Sequence, residues 1–600
     1  MHADGTVTFT VWAPHATALD LFVGDERHAM SAQPHGWWSL RAPAGPGDRY
    51  GFSIDGGPVR PDPASRRQPD GVHESSAVVD VATLPWSADE THWRPVPLAS
   101  AVIYELHIGT FSREGTFDGA IEHLADLADL GVTHVEVMPV AAFNGDRGWG
   151  YDGVAWYAVH EPYGGPEAFA RFVDACHRHD LAVVLDVVYN HLGPSGNYLP
   201  EFGPYLTDRY DTPWGQALNL DGPGADQVRA FIIGNALHWL ADFHVDALRL
   251  DAVHGLIDIS SVHILGQLSD AVADLSSRVR RPLQLIAETD RQDPSTIRPR
   301  EAGGLGVDAQ WHDELHHALH VALTGESDGY YADFRGLPDV AACYERGFVF
   351  DGRYSQVRGR TVGAPLQHLS SHRLVACLQN HDQVGNRPFG DRLTTMVDAA
   401  RLRTAAALLV TSPETPMLFM GEEYGETRPF RYFTSHPEPD LAQAVREGRR
   451  SEFAEFTGFG EQVPDPQDPA TFEASKLDRP AAGDAGQVWR RCWADLLAVR
   501  RGEPALASGR RDLCEVLVAD DEVFAAVRRH PAGDDVVVVA NLGDQAARVA
   551  LPAPARWAMR WCSDDTRYGG QGLQPAVSER GADTVAEVPP RSACILVEQA

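Results

Sequence analysis

Three carboxylates stand at points where apolar runs of the sequence end. Asp251 closes the run Ala-Leu-Arg-Leu, Glu288 follows Leu-Gln-Leu-Ile-Ala, and Asp382 follows Leu-Val-Ala-Cys-Leu after the polar triplet Gln-Asn-His. Retaining hydrolysis of a glycosidic bond needs an ionised carboxylate as nucleophile and a second carboxyl, about 5–5.5 Å away, that keeps its proton near neutral pH. The two carboxyls must therefore occupy different environments. These residue types predict nucleophilic and acid–base chemistry on a sugar.

The neighbours of two of these acids favour different charge states. Arg249 precedes Asp251 by two residues, so in a strand both side chains face the same way, and the cation would keep Asp251 ionised. Glu288 follows an apolar run, and partial desolvation together with nearby negative charge would raise its pKa, as a general acid/base requires. The alternative is a buried ion-pair network around Arg249. Three acids at three strand ends favour the catalytic interpretation.

The elements that carry these residues alternate between strand and helix. Amphipathic helical patterns at Phe117–Leu130, Pro166–His179 and Asp226–Phe243 lie between apolar strand patterns. Strands alternating with helices predict a parallel sheet, and eight such units close a barrel, whose working residues lie at the carboxyl ends of the strands. The predicted strands are Val102–Thr110, His134–Val140, Ala182–Asn190, Val245–Asp251, Leu283–Glu288, Val307–Trp311, Leu374–Gln379 and Pro416–Gly421.

Short β-patterns flank this central region. We therefore predict an α/β protein, a (β/α)8 barrel flanked by an N-terminal β-sandwich and a C-terminal β-domain. The predicted limits are residues 1–90 for the first domain, 98–505 for the barrel and 511–600 for the last, a second β-sandwich. A linker is expected at Leu84–Pro97. The Gly-, Pro- and Tyr-rich segment Gly193–Gly224 predicts an inserted loop over the site after strand three, and extra helices are expected between strands six and seven.

Composition excludes some classes of partner. The formal charge of −33 disfavours nucleic acid and anionic membranes, which need basic surface. No apolar run approaches the 18 or more residues of a membrane span, and the N-terminus has no signal-peptide pattern. The seven cysteines are scattered without CxxC spacing, which predicts reduced, buried thiols. We expect a cytoplasmic protein.

Four ordered motifs carry a resemblance to a known family. DVVYNH (186–191), DALRLDAV (246–253), AETD (287–290) and LQNHD (378–382) resemble the signature regions of the α-amylase family of glycoside hydrolases. The resemblance covers the whole barrel and implies Asp251 as nucleophile, Glu288 as general acid/base and Asp382 as the residue that holds the 2- and 3-hydroxyls of the reacting sugar. It also implies a structural role for Asp186. The residues that it implies at the same sugar subsite are Arg249, His191, His381, Tyr151 and Trp149.

A narrower resemblance is to the trehalose-releasing members of that family. It rests on residues 138–153, 325–355, 378–387 and 418–453. It implies hydrolysis of the α-1,4 bond between a maltooligosaccharide and a terminal trehalose unit, so maltooligosyltrehalose and trehalose are the expected ligands and a maltooligosyltrehalose synthase is the expected metabolic partner. Candidate residues for the trehalose side and for glucose stacking are His254, Asp290, Arg387 and Trp214.

Several alternatives stay open at this point. His191 and His381 could be core histidines, Tyr151 could be a packing residue, and Trp214 could serve loop packing alone. α-Glucan branching or debranching activity is the alternative enzyme function, and a catalytically silent glycan-binding protein is the alternative outside the enzymes. Calcium-dependent amylases are similar at Asn190 but carry histidine where this chain has Gly255, so we expect no metal and no cofactor.

Overall fold

The computed structural model describes residues 1–2, 4–452, 463–552, 555–580 and 583–599. Residues 453–462 of the predicted barrel domain, and with them Phe453 of the segment 418–453, lie outside the described residues.

The N-terminal region contains two antiparallel sheets. One sheet has three strands and the other has five. Their alternating side chains share one apolar core with the barrel. The strands are Thr6–Trp12, Ser31–Ala32 and Trp37–Pro43 in the first sheet, and Leu19–Val23, Glu26–Ala29, Arg49–Ile54, Val59–Arg60 and Ser76–Ala77 in the second.

The segment predicted as a linker packs against the barrel. It contains the 3-10 helices Val81–Thr83 and Ala88–His92, and Leu98–Ser100 follows it. The Trp93 indole donates a hydrogen bond of 2.9 Å to Asp246 Oδ1 in a buried position. The connection therefore also ties the N-terminal region to the barrel.

The centre of the chain is a closed barrel of eight parallel strands, as predicted. Each strand is shorter than its predicted run, and most end earlier at the carboxyl end, where apolar residues continue beyond the sheet. The strands are Ile103–Leu106, His134–Val137, Ala182–Val187, Ala247–Leu250, Gln284–Ala287, Ala309–Trp311, Leu374–Cys377 and Thr415–Phe419.

Inward-facing side chains change from apolar to polar along four of the barrel strands. A buried apolar cluster inside the barrel contains Ile103, Val184, Ala247 and Ile286. The period of two residues in a strand brings the side chains two positions further on to the same inner face, nearer the carboxyl end. These polar residues are Glu105, Asp186, Arg249 and Glu288.

Helices surround the barrel and close its ends. The predicted helix Phe117–Leu130 is two helices, Phe117–Ile121 and Leu124–Leu130. None of the helices in the described part of the chain combines the length and apolar character needed to cross a bilayer. The other α-helices are Ile108–Phe111, Gly165–Arg178, Leu199–Phe202, Ala225–Asp242, Ile264–Val279, Asp313–Thr324, Leu337–Arg346, His381–Gly385, Leu393–Met396, Ala399–Thr411, Pro439–Glu452, Pro469–Ser475 and Arg479–Gly502.

Insertions and short elements complete the barrel. The segment after strand three forms a hairpin, Leu206–Thr212 with Gly215–Leu218. The interval between strands six and seven carries the predicted extra helices and a second hairpin, Arg353–Ser355 with Arg360–Val362. A third pair of strands is Ala141–Ala142 with Ala155–Val159. The remaining 3-10 helices are Pro34–Gly36, Glu161–Tyr163, Val253–Gly255, Arg300–Ala302, Gly329–Asp333, Ser371–Arg373, Glu422–Tyr424, Arg511–Leu513 and Thr566–Tyr568.

The C-terminal region is a β-domain, as predicted. A five-stranded and a three-stranded antiparallel sheet share a core that is rich in valine. The strands are Cys514–Ala519, Val523–Arg528, Val536–Asn541, Arg556–Cys562 and Ser592–Gln599 in the first sheet, and Ala547–Leu551, Ala576–Arg580 and Asp583–Val588 in the second.

Candidate active site

Three strand ends bring the predicted carboxylates to one face of the barrel. Asp251 and Glu288 directly follow strands four and five, and their backbone N–H groups continue the sheet ladder by donating to Val187 and Leu250 at 3.0 and 2.9 Å. Asp382 lies in the short helix His381–Gly385 that follows strand seven. All three side chains line one cleft of about 580 Å³.

A single guanidinium connects the acids. Arg249 is fully buried, and its Nη1 lies 2.8 Å from Asp251 Oδ1 and 2.7 Å from Asp186 Oδ2. Its Nη2 lies 3.6 Å from Glu288 Oε2. Asp251 therefore contacts a buried cation directly.

Glu288 has the opposite preference. Burial raises its pKa from 4.5 to about 8, and the charges of Asp251 and Asp382 act in the same direction, against the effect of Arg249. The backbone N–H of Ala252 donates to Glu288 Oε2. Ala252 has φ of 38°, a left-handed conformation that costs an alanine about 1–2 kcal/mol, and this geometry directs the N–H at the acid. Glu288 therefore carries a proton at neutral pH beside the arginine-bound Asp251.

Aromatic and imidazole rings line the base of the same cleft. The Tyr151 ring stacks on His381 with centroids 5.1 Å apart, and its hydroxyl donates to Asp186 Oδ2 at 2.6 Å. Trp149 meets His381 edge to face and donates its indole N–H to the Arg431 carbonyl. The structure thus brings Tyr151, Trp149 and His381 together with the carboxylates.

The inserted hairpin supplies one wall. Trp214, at its turn, is exposed and stacks on His191 with ring centroids 5.2 Å apart. His191 Nε2 lies 3.0 Å from the Tyr151 carbonyl, and burial lowers the pKa of this imidazole. Both rings line the cleft. The loop predicted from Gly, Pro and Tyr content therefore does reach the active-site face.

The three candidates for trehalose recognition divide between two clefts. His254 lines the cleft that contains the nucleophile. Asp290 and Arg387 line a neighbouring cleft of about 570 Å³, which also includes Asp382. Arg387 is engaged in two hydrogen bonds of 2.9 Å with Glu326. Asp382 and Asn386 belong to both clefts, so the two spaces meet at the catalytic face.

Several lining residues were missed from the sequence. Asp313 is the second residue after strand six and lines the second cleft, and burial with the charge of Asp382 raises its pKa to about 6. Arg449, from helix Pro439–Glu452, lines the first cleft and donates to the Gly385 carbonyl. The position of Asp313 at a strand end was a usable signal. No strand-end position pointed to Arg449, because a helix after strand eight has no fixed relation to strand seven. Others that were missed are Tyr330, Tyr331, Gln383, Asn386 and Tyr432.

One buried group has side chains suited to metal ligation. Among the described residues, ligand atoms of His312, Cys343 and Glu414 lie within 4.8 Å of one another, away from the catalytic cleft. His312 Nδ1 lies 2.8 Å from Glu414 and Nε2 lies 3.2 Å from Glu314. Burial opposes charge on the imidazole, but the two glutamates outweigh it and raise the His312 pKa to about 10. We interpret this group as an imidazolium held by two carboxylates.

The chain is similar in sequence and in fold to known proteins. Residues 74–209 match the family model described as "Alpha amylase, catalytic domain", and residues 511–595 match "Domain of unknown function (DUF3459)". A crystal structure named as an alpha amylase of Salmonella typhimurium superimposes with a TM-score of 0.89 at 37% identity, covering 100% of this chain and 99% of that one.

Several relatives are similar to this chain in sequence over most of its length. A malto-oligosyltrehalose trehalohydrolase of Arthrobacter ramosus is 52% identical, covering 84% of this chain and 88% of the relative. One of Rhizobium sp. strain M-11 is 45% identical over 99% and 98% of the two chains. A 1,4-alpha-glucan branching enzyme of Ralstonia nicotianae is 30% identical over 94% of this chain and 73% of its own length. Because coverage is high and identity is greatest among the trehalohydrolases, the chain belongs to the malto-oligosyltrehalose trehalohydrolase family of α-amylase-type glycoside hydrolases.

Proposed function

We propose that the chain hydrolyses the α-1,4 bond between a maltooligosaccharide and the terminal trehalose of maltooligosyltrehalose, with retention of configuration. The observation that carries the proposal is the pairing of an arginine-bound carboxylate, Asp251, with a carboxyl that burial keeps protonated, Glu288, in one cleft. Retaining glycosidases require this combination of charge states. A second cleft that meets the first at Asp382 provides room for a leaving group larger than water.

Asp251 and Glu288 carry the reaction through two steps. Asp251 attacks the anomeric carbon while Glu288 donates its proton to the departing 4-oxygen of trehalose, so the C1–O4 bond breaks and a glycosyl ester forms on Asp251. Glu288, now a carboxylate, takes a proton from water as the water attacks C1 and releases Asp251. Arg249 stays bonded to Asp251 Oδ1 and favours its departure as an anion.

Two aromatic rings and one carboxylate are suited to hold the reacting sugar. Tyr151 offers a flat face beside His381, and Asp382, with 41% of its side chain exposed, offers carboxylate oxygens to sugar hydroxyls. Trp214 on the inserted hairpin provides a second aromatic face at the rim. Together they support the sugar between the base and the edge of the cleft.

We further propose that the second cleft receives trehalose. A site that hydrogen-bonds particular hydroxyls discriminates against ligands that lack them, and this provides a basis for selecting the α,α-1,1-linked glucose. Asp290 and Arg387 supply an acceptor and a donor there, and His254 stands 3.9 Å from Asp290 at the junction. A maltooligosyltrehalose synthase is the partner that would supply the substrate. All seven cysteines are free thiols, which supports a cytoplasmic location.

The test compares maltotriosyltrehalose with maltopentaose, with product analysis by chromatography and by proton NMR within the first minutes. We expect free trehalose from the first substrate, α-anomeric maltotriose as the initial second product, and slow change in maltopentaose. Branched products from amylose, or cleavage at α-1,6 points, would instead indicate the branching or debranching activity of related enzymes, and no turnover of any glucan would indicate a binding protein.

The specificity assignment has its own test. Asp290→Asn should lower kcat/KM for maltotriosyltrehalose by roughly 1–3 kcal/mol of transition-state binding, and the slow cleavage of maltopentaose should change much less. Asp293→Asn is the matched control, because Asp293 is exposed in the same loop and bonds locally to Ser295. Equal losses on both substrates would move trehalose recognition away from Asp290.

A further inference from the structure

Glu105 makes a two-point contact with the imidazole at the base of the cleft. It lies in the first barrel strand and is 1% exposed. Its Oε2 accepts the backbone N–H of His381 at 2.9 Å, and its Oε1 accepts from the ring Nδ1 at 2.5 Å. One carboxylate therefore holds both the backbone and the ring of the same histidine, which restricts the ring to one orientation.

The other ring nitrogen faces the reacting groups. His381 Nε2 lies 3.4 Å from Asp382 Oδ1, and the ring is held between the Tyr151 face and the Trp149 edge. Since Nδ1 donates to Glu105, Nε2 can donate to a carboxylate or to a hydroxyl oxygen only in the doubly protonated imidazolium, whereas the neutral ring could only accept from a hydroxyl. Burial opposes that charge, but Glu105 and Asp382 outweigh burial and raise the His381 pKa to about 9.

A second buried glutamate lies beside Glu105 without sharing its role. Glu136, on the second strand, is the Cα partner of Glu105. Neither of its carboxyl oxygens has a hydrogen-bond partner within the part of the chain that the structure describes. Burial raises the pKa of Glu136 well above its ordinary value, with the charge of Glu105 acting in the same direction. Glu136 is therefore neutral, and Glu105 supplies the negative charge to the ring.

We propose that Glu105 is a positioning residue for the reaction: it fixes His381 as an imidazolium whose Nε2–H is directed at a hydroxyl of the reacting sugar. The proposal rests on the proposed glycoside hydrolysis for the identity of the hydroxyl, and on the geometry alone for the state of the ring. The charged groups that act on His381 are Glu105, Asp382 and Arg249. The neighbouring imidazole of His107 directly follows the strand of Glu105, and burial together with the charge of His381 lowers its pKa to about 3.

The first measurement needs no substrate. His381 in protein labelled with carbon-13 at the histidine Cε1 is titrated by NMR, with its signal assigned by its loss in His381→Asn. Glu105→Gln keeps the shape and an acceptor for the backbone N–H but removes the charge. We expect the His381 pKa to fall by about two units, since an opposite charge in contact changes a pKa by roughly 1–3 units. An unchanged titration in Glu105→Gln would overturn the proposal.

The second measurement connects the ring to turnover. With an α-maltosyl fluoride, bond cleavage needs no proton from Glu288, so the alkaline limb of kcat/KM reports the imidazolium. That limb should move to lower pH in Glu105→Gln, by the same interval as the NMR titration, and kcat/KM at pH 8 should fall about tenfold or more relative to its value at pH 5. A parallel loss at every pH would indicate a purely structural role and would also refute the proposal.

Two variants separate charge from packing. Glu105→Asp keeps the charge, so its pH profile should return toward that of the natural protein even if its maximal rate is lower. Glu136→Gln is the matched control: it is buried at the same level of the barrel and contacts no ring nitrogen, so the His381 titration and the pH profile should stay unchanged. If the natural protein cleaves no glucoside at all, the proposed function fails, while the NMR titration still decides the role of Glu105.

Discussion

The proton on Glu288 should set the alkaline limit of catalysis on natural substrates. Burial, with the charges of Asp251 and Asp382, raises its pKa from 4.5 to about 8. A general acid acts only while it carries its proton. We therefore expect kcat/KM for maltotriosyltrehalose to fall about tenfold for each pH unit above 8 and to change little just below 7.

The same shift has a consequence for stability. It corresponds to roughly 5 kcal/mol against the ionised form of Glu288 in the folded state. The folded pKa lies above the unfolded one, so this residue's contribution is fully present below pH 4.5 and is lost as pH rises toward 8. Glu288→Gln is neutral throughout. It should match the natural protein in stability at pH 4 and exceed it by a few kcal/mol at pH 8.

The assay pairs kinetics with unfolding. Trehalose release by Glu288→Gln should be severely impaired, whereas kcat/KM for an α-maltosyl fluoride should be partly retained, because fluoride departs without a proton. Turnover of the fluoride should still be slow, because Glu288 is also the base of the second step. For the natural protein, the fall near pH 8 should be present with maltotriosyltrehalose and absent with the fluoride. Urea unfolding at pH 4 and pH 8 gives the stability difference. Glu301→Gln is the control for both measurements, because Glu301 is an exposed glutamate in the connection between strands five and six, which also carries Glu288.

Two outcomes would refute this reasoning. If Glu288→Gln lowers kcat/KM equally for the fluoride and the natural substrate, Glu288 is not the general acid. A Glu288→Gln variant that is less stable than the natural protein at pH 8 would show that the carboxyl is not kept neutral by burial.

Further predictions concern the nucleophile, metal dependence and the buried ion pair. Asp251→Asn should lower kcat by several orders of magnitude with an unchanged circular-dichroism spectrum, and residual activity within about tenfold would exclude Asp251 as nucleophile. Chelators should leave activity unchanged, because Gly255 stands where calcium-dependent amylases carry histidine and offers no ligand side chain; a loss restored by calcium would contradict this. His312→Gln should destabilise the protein at pH 7 by roughly 3–5 kcal/mol, the cost of breaking a buried ion pair. With a folded pKa of about 10 against 6.5, the His312 contribution is lost as pH rises through 10, so the difference in urea unfolding should narrow there, and a constant difference would exclude charge as its origin.

Much of the barrel and its chemistry could be predicted from local pattern. Apolar runs with a period of two residues bring Arg249 and Asp251 to one face, and a carboxylate directly after such a run must lie where the strand leaves the sheet. The order of eight strands follows from their alternation with helices. The strand limits did not follow, because apolar side chains continue past the last ladder hydrogen bond into the loops.

Other features depend on contacts between distant parts of the chain. Glu105 on strand one contacts His381, which follows strand seven, across 276 residues. Only closure of the barrel, which pairs strand one with strand eight, brings these two residues together. The trehalose candidates are divided between two clefts, and Glu326 binds Arg387. Both features depend on the way in which the long loops fold over the barrel. Sequence pattern determined which side chains face inward and at which strand ends the acids lie, because those depend on local periodicity and burial. The tertiary structure decided which charges meet, and thereby the protonation of Glu288 and His381, because pKa values follow from desolvation and from charges that the chain brings together from many separate segments.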